Sequence, residues 1–330
     1  MSISIGKLRG LQQLADARGM MTMVAVDHRG ALKRALNEQD PDAVGYRDMV
    51  DFKLDLCQAV AGVASAVLLD PEYGAAQAIA AGLVPGSKGL LVSMEKTGYS
   101  GDRAARITEL LPGWSVGKVK KMGASAVKLL VYFRPDLEDV AAKQLDLVAR
   151  LADQCLEEDI ACLVEPVSYP VEGEDTSART FAERKPEIVF ETARRITALP
   201  IDVLKAEFPA DMESEQDEGR LLGLCRELDR ASRLPWVLLS AGVDFDSFKK
   251  QVQLACQAGA SGFLAGRALW QEGARIASRE ERLAFFRSTA APRLQELAEI
   301  AGRHGRPWYD RMGAEAGRFP PVSEGWYRSY

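Results

Sequence analysis

Apolar residues fall along this chain in short, nearly continuous runs, each closed by a polar or charged residue or by a turn. The runs are Thr22 to Asp27, Ser65 to Asp70, Gly89 to Glu95, Ser125 to Val131, Ile160 to Glu165, Pro200 to Lys205, Pro235 to Ser240 and Ala260 to Arg267. Each has the length of a strand and is rich in Val, Leu, Ile and Ala, the composition of a parallel strand covered on both faces. The segments between them carry apolar positions at helical spacing. Phe52, Leu56, Ala59, Val60 and Val63 make one such stripe, and Leu137, Ala141, Leu145, Val148, Ala152 and Cys155 make another. A strand-then-helix unit repeated eight times predicts an α/β chain folded as a (β/α)8 TIM barrel. In that architecture the chemistry sits at the carboxyl ends of the strands and in the loops that follow them.

The chain has 330 residues, against roughly 250 for a minimal barrel. No Gly/Ser/Pro-rich linker divides it, so one domain over residues 1–330 is expected, with the barrel at about 20–280 and a C-terminal extension at about 281–330. The surplus is assigned to an N-terminal lead around Leu8 to Ala17, a long loop from Val167 to Lys185, and that extension. The extension opens on a helix bearing Phe286, Leu294, Leu297 and Ile300 and ends in an aromatic tail with Trp326, Tyr327 and Tyr330. The tail is expected to pack on the barrel or on a neighbouring subunit rather than to cover substrate, and a homo-oligomer is expected.

Charge and composition narrow the function. Lys and Arg number 42 against 47 Asp and Glu, with the signs interspersed, which leaves no basic face for nucleic acid and no polybasic membrane patch. No apolar stretch approaches the roughly 18 residues of a membrane span, and the first residues lack the apolar core of a signal peptide. The five cysteines, Cys57, Cys155, Cys162, Cys225 and Cys256, sit in mostly apolar settings with no Cys-x-x-Cys pair, as reduced buried thiols do. A cytoplasmic enzyme acting on a small molecule fits these features. Only two histidines are present, His28 and His304, too few for the mostly-histidine ligand sets of catalytic zinc, so neither a metal nor a cofactor is expected.

Lysines then become the candidates. Lys128 and Lys205 both interrupt apolar runs, and either alone would be read as a strand-end side chain snorkelling to solvent. Together with Glu165 and Asp27 they place four charged groups at or near one end of the predicted barrel, aimed at a common centre. An amine attacks a carbonyl only when unprotonated, and lysine titrates near about 10.4, so a Schiff-base enzyme must ease the proton off by burial or a neighbouring cation. Lys128 is placed to be that neighbour of Lys205. The resulting iminium withdraws electrons from the adjacent carbon, so a β-hydroxy bond can break if a carboxylate accepts the hydroxyl proton. Glu165, in a partly apolar rim where a raised pKa would suit proton transfer, is the expected acceptor.

Strands seven and eight supply an anion site. Ser240, Ala241 and Gly242 close one run, and Gly266 with Arg267 closes the other. Backbone amides beside glycine approach an anion closely, and the loops after the last two barrel strands are the usual phosphate cradle of this architecture. Arg267 can add a bidentate grip. A phosphorylated ligand is therefore expected.

Several of these segments also resemble a known family. Val24-Ala25-Val26-Asp27-His28-Arg29-Gly30-Ala31-Leu32-Lys33-Arg34, Leu68-Leu69-Asp70-Pro71-Glu72-Tyr73-Gly74, Glu95-Lys96-Thr97-Gly98-Tyr99, Asp202-Val203-Leu204-Lys205 and Leu239-Ser240-Ala241-Gly242-Val243 resemble the class I tagatose-1,6-bisphosphate aldolases of the LacD type, in order from about residue 8 to about residue 300. The resemblance implies that Lys205 forms the Schiff base, that Glu165 is the acid/base with Asp27 and Lys128 assisting, and that Ser240, Gly242, Gly266 and Arg267 hold the phosphate of a phosphorylated sugar. His28 stands where the family commonly has glutamine, so the contacts beside Asp27 are expected to differ. The segments Val127-Lys128-Leu129-Leu130, Glu165-Pro166-Val167 and Gly259 to Arg267 look equally close to aldolases that cleave 6-deoxy-6-sulfofructose 1-phosphate. Both substrates carry a second anion at carbon six, for which Arg29, Lys96 and Arg134 are candidates. A non-catalytic sugar-phosphate sensor and an enolising isomerase with Glu165 as base are the readings from other classes.

Overall fold

A computed structural model describes residues 3–171, 174, 179–314, 317–328 and 330. The elements in chain order are α1 (Ile5–Leu14), β1 (Met21–Ala25), α2 (Gly30–Leu36), α3 (Tyr46–Val60), β2 (Ala66–Leu69), α4 (Ala75–Ala80), β3 (Gly89–Ser93), β4 (Ser100–Asp102), β5 (Ala105–Ile107), α5 (Val116–Lys121) and β6 (Ala126–Tyr132). They continue with α6 (Glu138–Glu157), β7 (Ala161–Val167), α7 (Arg179–Ile196), β8 (Val203–Ala206), α8 (Glu218–Ala231), β9 (Trp236–Leu239), α9 (Phe245–Ala258), β10 (Gly262–Ala265), α10 (Arg267–Ala274), α11 (Arg279–Phe285) and α12 (Ala291–His304). Eight strands close on themselves in the order β1-β10-β9-β8-β7-β6-β3-β2, every pairing parallel. The eight apolar runs are these eight strands, so the predicted TIM barrel is the observed one.

The strands are apolar on both faces because both are covered. Side chains alternate, so Met21, Met23, Leu68, Leu91, Leu163 and Leu264 fill the interior, while Val24, Val67, Val127, Val164 and Leu204 meet the helices outside. Leu11 and Leu14 of α1 join the interior cluster from below, and Trp308 joins it as well. The Leu14 carbonyl accepts from Ser65 at the start of β2, which fixes this plug at the N-terminal end. Lys7 of α1 pairs with Asp202 at 3.0 Å, at the foot of β8. Several loops end on a capping residue that satisfies a free helix amide: Asp217 accepts from the Arg220 amide at the start of α8, and Asp244 from the Ser247 amide at the start of α9.

Some expectations change in detail. Val63 lies past the end of α3 and is 37% exposed, so it does not extend that helix's apolar stripe. The long loop is shorter than expected because β7 runs to Val167 and α7 starts at Arg179; residues 172, 173 and 175–178 of it lie outside the described residues. The helix expected to carry Phe286 to Ile300 is interrupted by a π-helical turn at Phe286–Ala290, and Ile300 is only half-buried. The tail follows the N-terminal face, remote from the catalytic rim. The Arg306 amide donates to Ala260 before β10, the Trp308 amide to Gly19 before β1, and the Tyr330 hydroxyl to Asp159 before β7. No helix among the described residues is long and apolar enough to cross a membrane.

Candidate active site

Barrel alternation delivers three charged side chains to one layer above the apolar interior. On β6, Lys128 lies two residues beyond the inward Ala126; on β7, Glu165 lies two beyond Leu163; on β8, Lys205 lies two beyond Val203. The pairing of Val164 with Leu204 makes Glu165 and Lys205 the next neighbours along the two strands. Their side chains meet: Glu165 Oε1 is 2.8 Å from Lys205 Nζ, and Glu165 Oε2 is 2.8 Å from Lys128 Nζ. Lys128 completes its shell with Asp27 Oδ2 at 2.8 Å and Glu95 Oε1 at 2.9 Å. All five groups are buried.

Glu95 is the member that the sequence reading left out of the site. It closes the third apolar run as Asp27 and Glu165 close theirs, and that position was the available signal. Its second oxygen accepts from the Leu130 amide at 3.0 Å, which holds the carboxylate against β6.

Electrostatics within the cluster follow from one ammonium facing three carboxylates. Burial opposes ionisation of Asp27, but Lys128, His28 and Lys205 outweigh it and hold the carboxyl well below its ordinary range. Burial likewise acts against the charge on Lys128, yet Asp27, Glu165 and Glu95 raise its pKa well above the usual lysine value. Glu165 differs from expectation. Burial alone would raise it, but Lys128 and Lys205 on either side bring it below the usual carboxylate range, so at rest it is an anion ready to accept a proton.

The Asp27 segment is supported from behind. Lys53 pairs with Asp70 at 2.7 Å, both wholly buried, and donates to the Val26 carbonyl and, at 2.9 Å, to the His28 carbonyl. His28 faces Asp27, with Nδ1 3.6 Å from Oδ1, and its ring meets Trp270 edge-on at 5.0 Å. Burial pushes the imidazole down to about 3, the cations Arg267, Lys205 and Lys53 adding to that effect against Asp27. The ring is therefore neutral near pH 7. Its buried Nδ1 has no hydrogen-bond partner among the described residues.

Ser240, Ala241, Gly242, Gly266 and Arg267 gather where β9 and β10 end. Ser240 Oγ accepts from the Gly266 amide at 3.2 Å, joining the two loops. Ala241 and Gly242 both adopt positive φ, 48° and 83°, and Arg267 stacks so closely on Gly242 that a Cβ there would lie 2.6 Å from its Cζ. Gly266 is equally constrained, since a Cβ would lie 2.7 Å from His28 Cε1. Burial, with Arg34 nearby, lowers the Arg267 pKa against the pull of Glu165, and its buried Nε has no hydrogen-bond partner among the described residues. The arrangement is a half-buried cation over a loop in which Ala241 is exposed and Gly242 half-buried.

The expected far-anion candidates are engaged elsewhere. Arg29 is buried, pairs with Glu72 at 2.7 Å and donates to the Glu95 carbonyl at 2.5 Å, so its guanidinium braces the carboxylate cluster. Lys96 meets Glu109 at 3.3 Å on the surface. Arg134 is fully buried between Asp136, Glu174 and the Tyr169 carbonyl.

A closed barrel with two buried lysines sharing one carboxylate at the strand ends defines the class: a barrel aldolase. The chain belongs to the DeoC/LacD family of aldolases, whose family profile matches residues 21–272, and is thereby a lyase. It is 32% identical over 314 residues to tagatose 1,6-diphosphate aldolase 1 of Enterococcus faecalis, covering 90% of this chain and 95% of that protein. It is 31% identical over 330 residues to the tagatose 1,6-diphosphate aldolase of Lactococcus lactis subsp. lactis, covering 93% and 98%. Among solved structures, an archaeal fructose-1,6-bisphosphate aldolase with its catalytic lysine bound to the carbinolamine intermediate superposes with a TM-score of 0.58 at 20% identity, over 90% of this chain and 99% of that one. At that identity the likeness speaks for the fold.

Proposed function

We propose that the protein is a class I aldolase that splits tagatose 1,6-bisphosphate into dihydroxyacetone phosphate and glyceraldehyde 3-phosphate. The observation that carries this reading is Glu165 held at 2.8 Å from both Lys205 and Lys128. Lys205 passes its proton to Glu165 and attacks the C2 carbonyl; Glu165 returns that proton to the carbinolamine hydroxyl, which leaves as water, and an iminium remains with Glu165 ionised again. Glu165 then takes the C4 hydroxyl proton; the C3–C4 bond breaks, its electrons move into the iminium to form an enamine, and the aldehyde departs. Protonation of the enamine at C3 and hydrolysis of the imine release dihydroxyacetone phosphate and restore the amine. Lys128 keeps Glu165 anionic between transfers, and Asp27 and Glu95 hold Lys128 in place. Ser240, Ala241, Gly242, Gly266 and Arg267 grip the C1 phosphate, with neutral His28 packed under Gly266. The likeness to the tagatose 1,6-diphosphate aldolases of Enterococcus faecalis and Lactococcus lactis supports tagatose 1,6-bisphosphate as the substrate.

We further read the whole chain as one aldolase domain working in the cytoplasm, a location supported by five unpaired, buried cysteines. We also read it as a homo-oligomer, for which the exposed rings of Tyr327 and Tyr330 offer a contact surface. The test of the chemistry is borohydride reduction in the presence of dihydroxyacetone phosphate. A stable adduct on Lys205, located by peptide mass, is the expected result. No adduct, with the sugar phosphate still bound, would leave a sensor.

A further inference from the structure

The loop after β3 carries a device that the reaction above does not use. The antiparallel hairpin β4–β5 packs against α6 and β6 and presents Arg106 among three tyrosines. The guanidinium lies 4.8 Å from the Tyr99 ring centroid, 4.9 Å from that of Tyr169 and 5.5 Å from that of Tyr132. Its only hydrogen bond among the described residues runs from Nε to the Arg103 carbonyl at 3.0 Å, and no carboxylate among them pairs with it. Arg29 and Arg134, by contrast, are locked by carboxylates. An arginine held by aromatic faces keeps its charge and terminal N–H groups available.

The hairpin is fixed where Arg106 leaves it. Gln144 of α6, wholly buried, donates from one amide nitrogen to the Arg106 carbonyl at 3.3 Å, to Thr108 Oγ1 at 3.4 Å and to the Tyr132 carbonyl at 2.9 Å. The Tyr132 amide in turn donates to Thr108 Oγ1 at 3.1 Å. These bonds join β5 to the end of β6, the strand that carries Lys128. The Tyr132 phenol is within electrostatic reach of Arg106 on one side and of Glu95 and Lys128 on the other. Arg106 thus lies on the ring of Tyr132, which ends the strand that carries Lys128.

Its place around the barrel gives the direction. In the closed order β1-β10-β9-β8-β7-β6-β3-β2, β10 lies across the mouth from β6, and β9 lies across from β3. Ser240 to Gly242 and Gly266 with Arg267 end β9 and β10, Lys205 and Glu165 stand on β8 and β7, and Arg106 lies against Tyr132 at the end of β6 and Tyr169 just past β7. A ketose with C1 at the loop, C2 on Lys205 and C4 at Glu165 sends C6 toward Arg106.

We propose that Arg106 is the specificity-determining cation that grips a tetrahedral anion on carbon six of the substrate. This rests on the aldolase reading above. The measurement is the ratio of kcat/KM for tagatose 1,6-bisphosphate to that for the same ketose bearing only the 1-phosphate, in wild type, R106Q and R106K. The expected result is a ratio about 100-fold lower in R106Q, nearly all of it in KM for the bisphosphate, and partial recovery in R106K. A 6-sulfo ketose 1-phosphate tested in parallel shows whether phosphate or sulfonate is the better fit. If R106Q lowers kcat/KM for both substrates alike, or for neither, Arg106 only stiffens the hairpin and the proposal is overturned. Failure of the wild type to give a borohydride adduct with dihydroxyacetone phosphate would instead sink the aldolase reading, and it is scored separately because that ligand has no carbon six.

Discussion

Glu165 gives one carboxylate oxygen to Lys205 and the other to Lys128, each at 2.8 Å, so a proton leaving either ammonium has the same acceptor. The depressed pKa of that carboxyl keeps it ionised, and so free to accept a proton, through neutral pH. Glu165→Gln preserves the shape and removes the basicity. General-base loss of this kind costs about 10² to 10⁴ in rate. Stopped-flow cleavage should therefore show kcat down by at least about two orders of magnitude, with adduct formation slowed as well. A variant within a few-fold of wild type would assign the proton to another group.

Lys205→Ala separates the lyase from the enolising isomerase. An aldolase working through an iminium loses both the borohydride adduct and turnover, because no other lysine sits on β8 facing the barrel interior. An isomerase using Glu165 alone would keep substantial turnover. The assay is aldehyde release coupled to a dehydrogenase, run beside mass analysis of the reduced protein.

Lys128→Met leaves Asp27, Glu95 and Glu165 facing one another without their shared cation. Breaking a buried charge network by removing one partner costs about 3 to 5 kcal/mol, which urea unfolding would register. The pH dependence has a definite sign. Asp27 and Glu165 have depressed pKa values in the folded protein, so their stabilisation is present above ordinary carboxylate values and is lost as pH falls through the folded ones. Lys128 is raised, so its contribution holds below the ordinary lysine value and is lost only as pH rises through the folded one. Without Lys128 the Glu165 pKa must rise, and the acidic limb of the kcat/KM profile should move to higher pH. An unmoved limb would mean that Lys128 does not govern Glu165.

The cysteines give a test of the core. Burial pushes Cys57, Cys225 and Cys256 up to about 12, and a hydrogen bond with Cys155, together with burial, raises Cys162 well above its ordinary value. Alkylation requires the thiolate. Iodoacetamide at pH 8 should leave all five thiols intact in the native protein and label all five in denaturant, read by intact mass. Rapid native labelling at any of them would mean that the helical layer opens.

How much of this could be read from sequence depended on range. The barrel was legible because burial on both faces writes itself into a strand as an unbroken apolar run, and Lys128, Glu165 and Lys205 stood out as charges inside such runs. Glu95 sat at the end of a run with the same signature, but its role depends on the distance to Lys128, which lies on a different strand. The Glu165 pKa was misjudged in direction for the same reason: the apolar neighbours are local in sequence, while the two ammoniums arrive from β6 and β8. Arg29 was a candidate for the carbon-six anion, and its partners Glu72 and the Glu95 carbonyl, which come from later segments, were not legible beside it. The hairpin that presents Arg106 had no apolar pattern to announce it, since its strands are three residues each and bury little.

Gly242→Ala tests the anion loop at its tightest contact. An added Cβ would lie 2.6 Å from Arg267 Cζ, and the backbone φ of 83° is costly for any residue with a Cβ. Gly82→Ala is the matched control: its φ is 67°, and an added Cβ there meets nothing within 4 Å. Both variants carry left-handed strain of about 1 to 2 kcal/mol, but only Gly242→Ala must push the guanidinium aside. Calorimetry with dihydroxyacetone phosphate should therefore show binding weakened by at least about tenfold, or roughly 1.4 kcal/mol, in Gly242→Ala. In Gly82→Ala the binding should match wild type while the melting temperature falls. If Gly242→Ala binds as tightly as wild type, Arg267 does not hold the C1 phosphate, and the cradle has to be sought elsewhere on the rim.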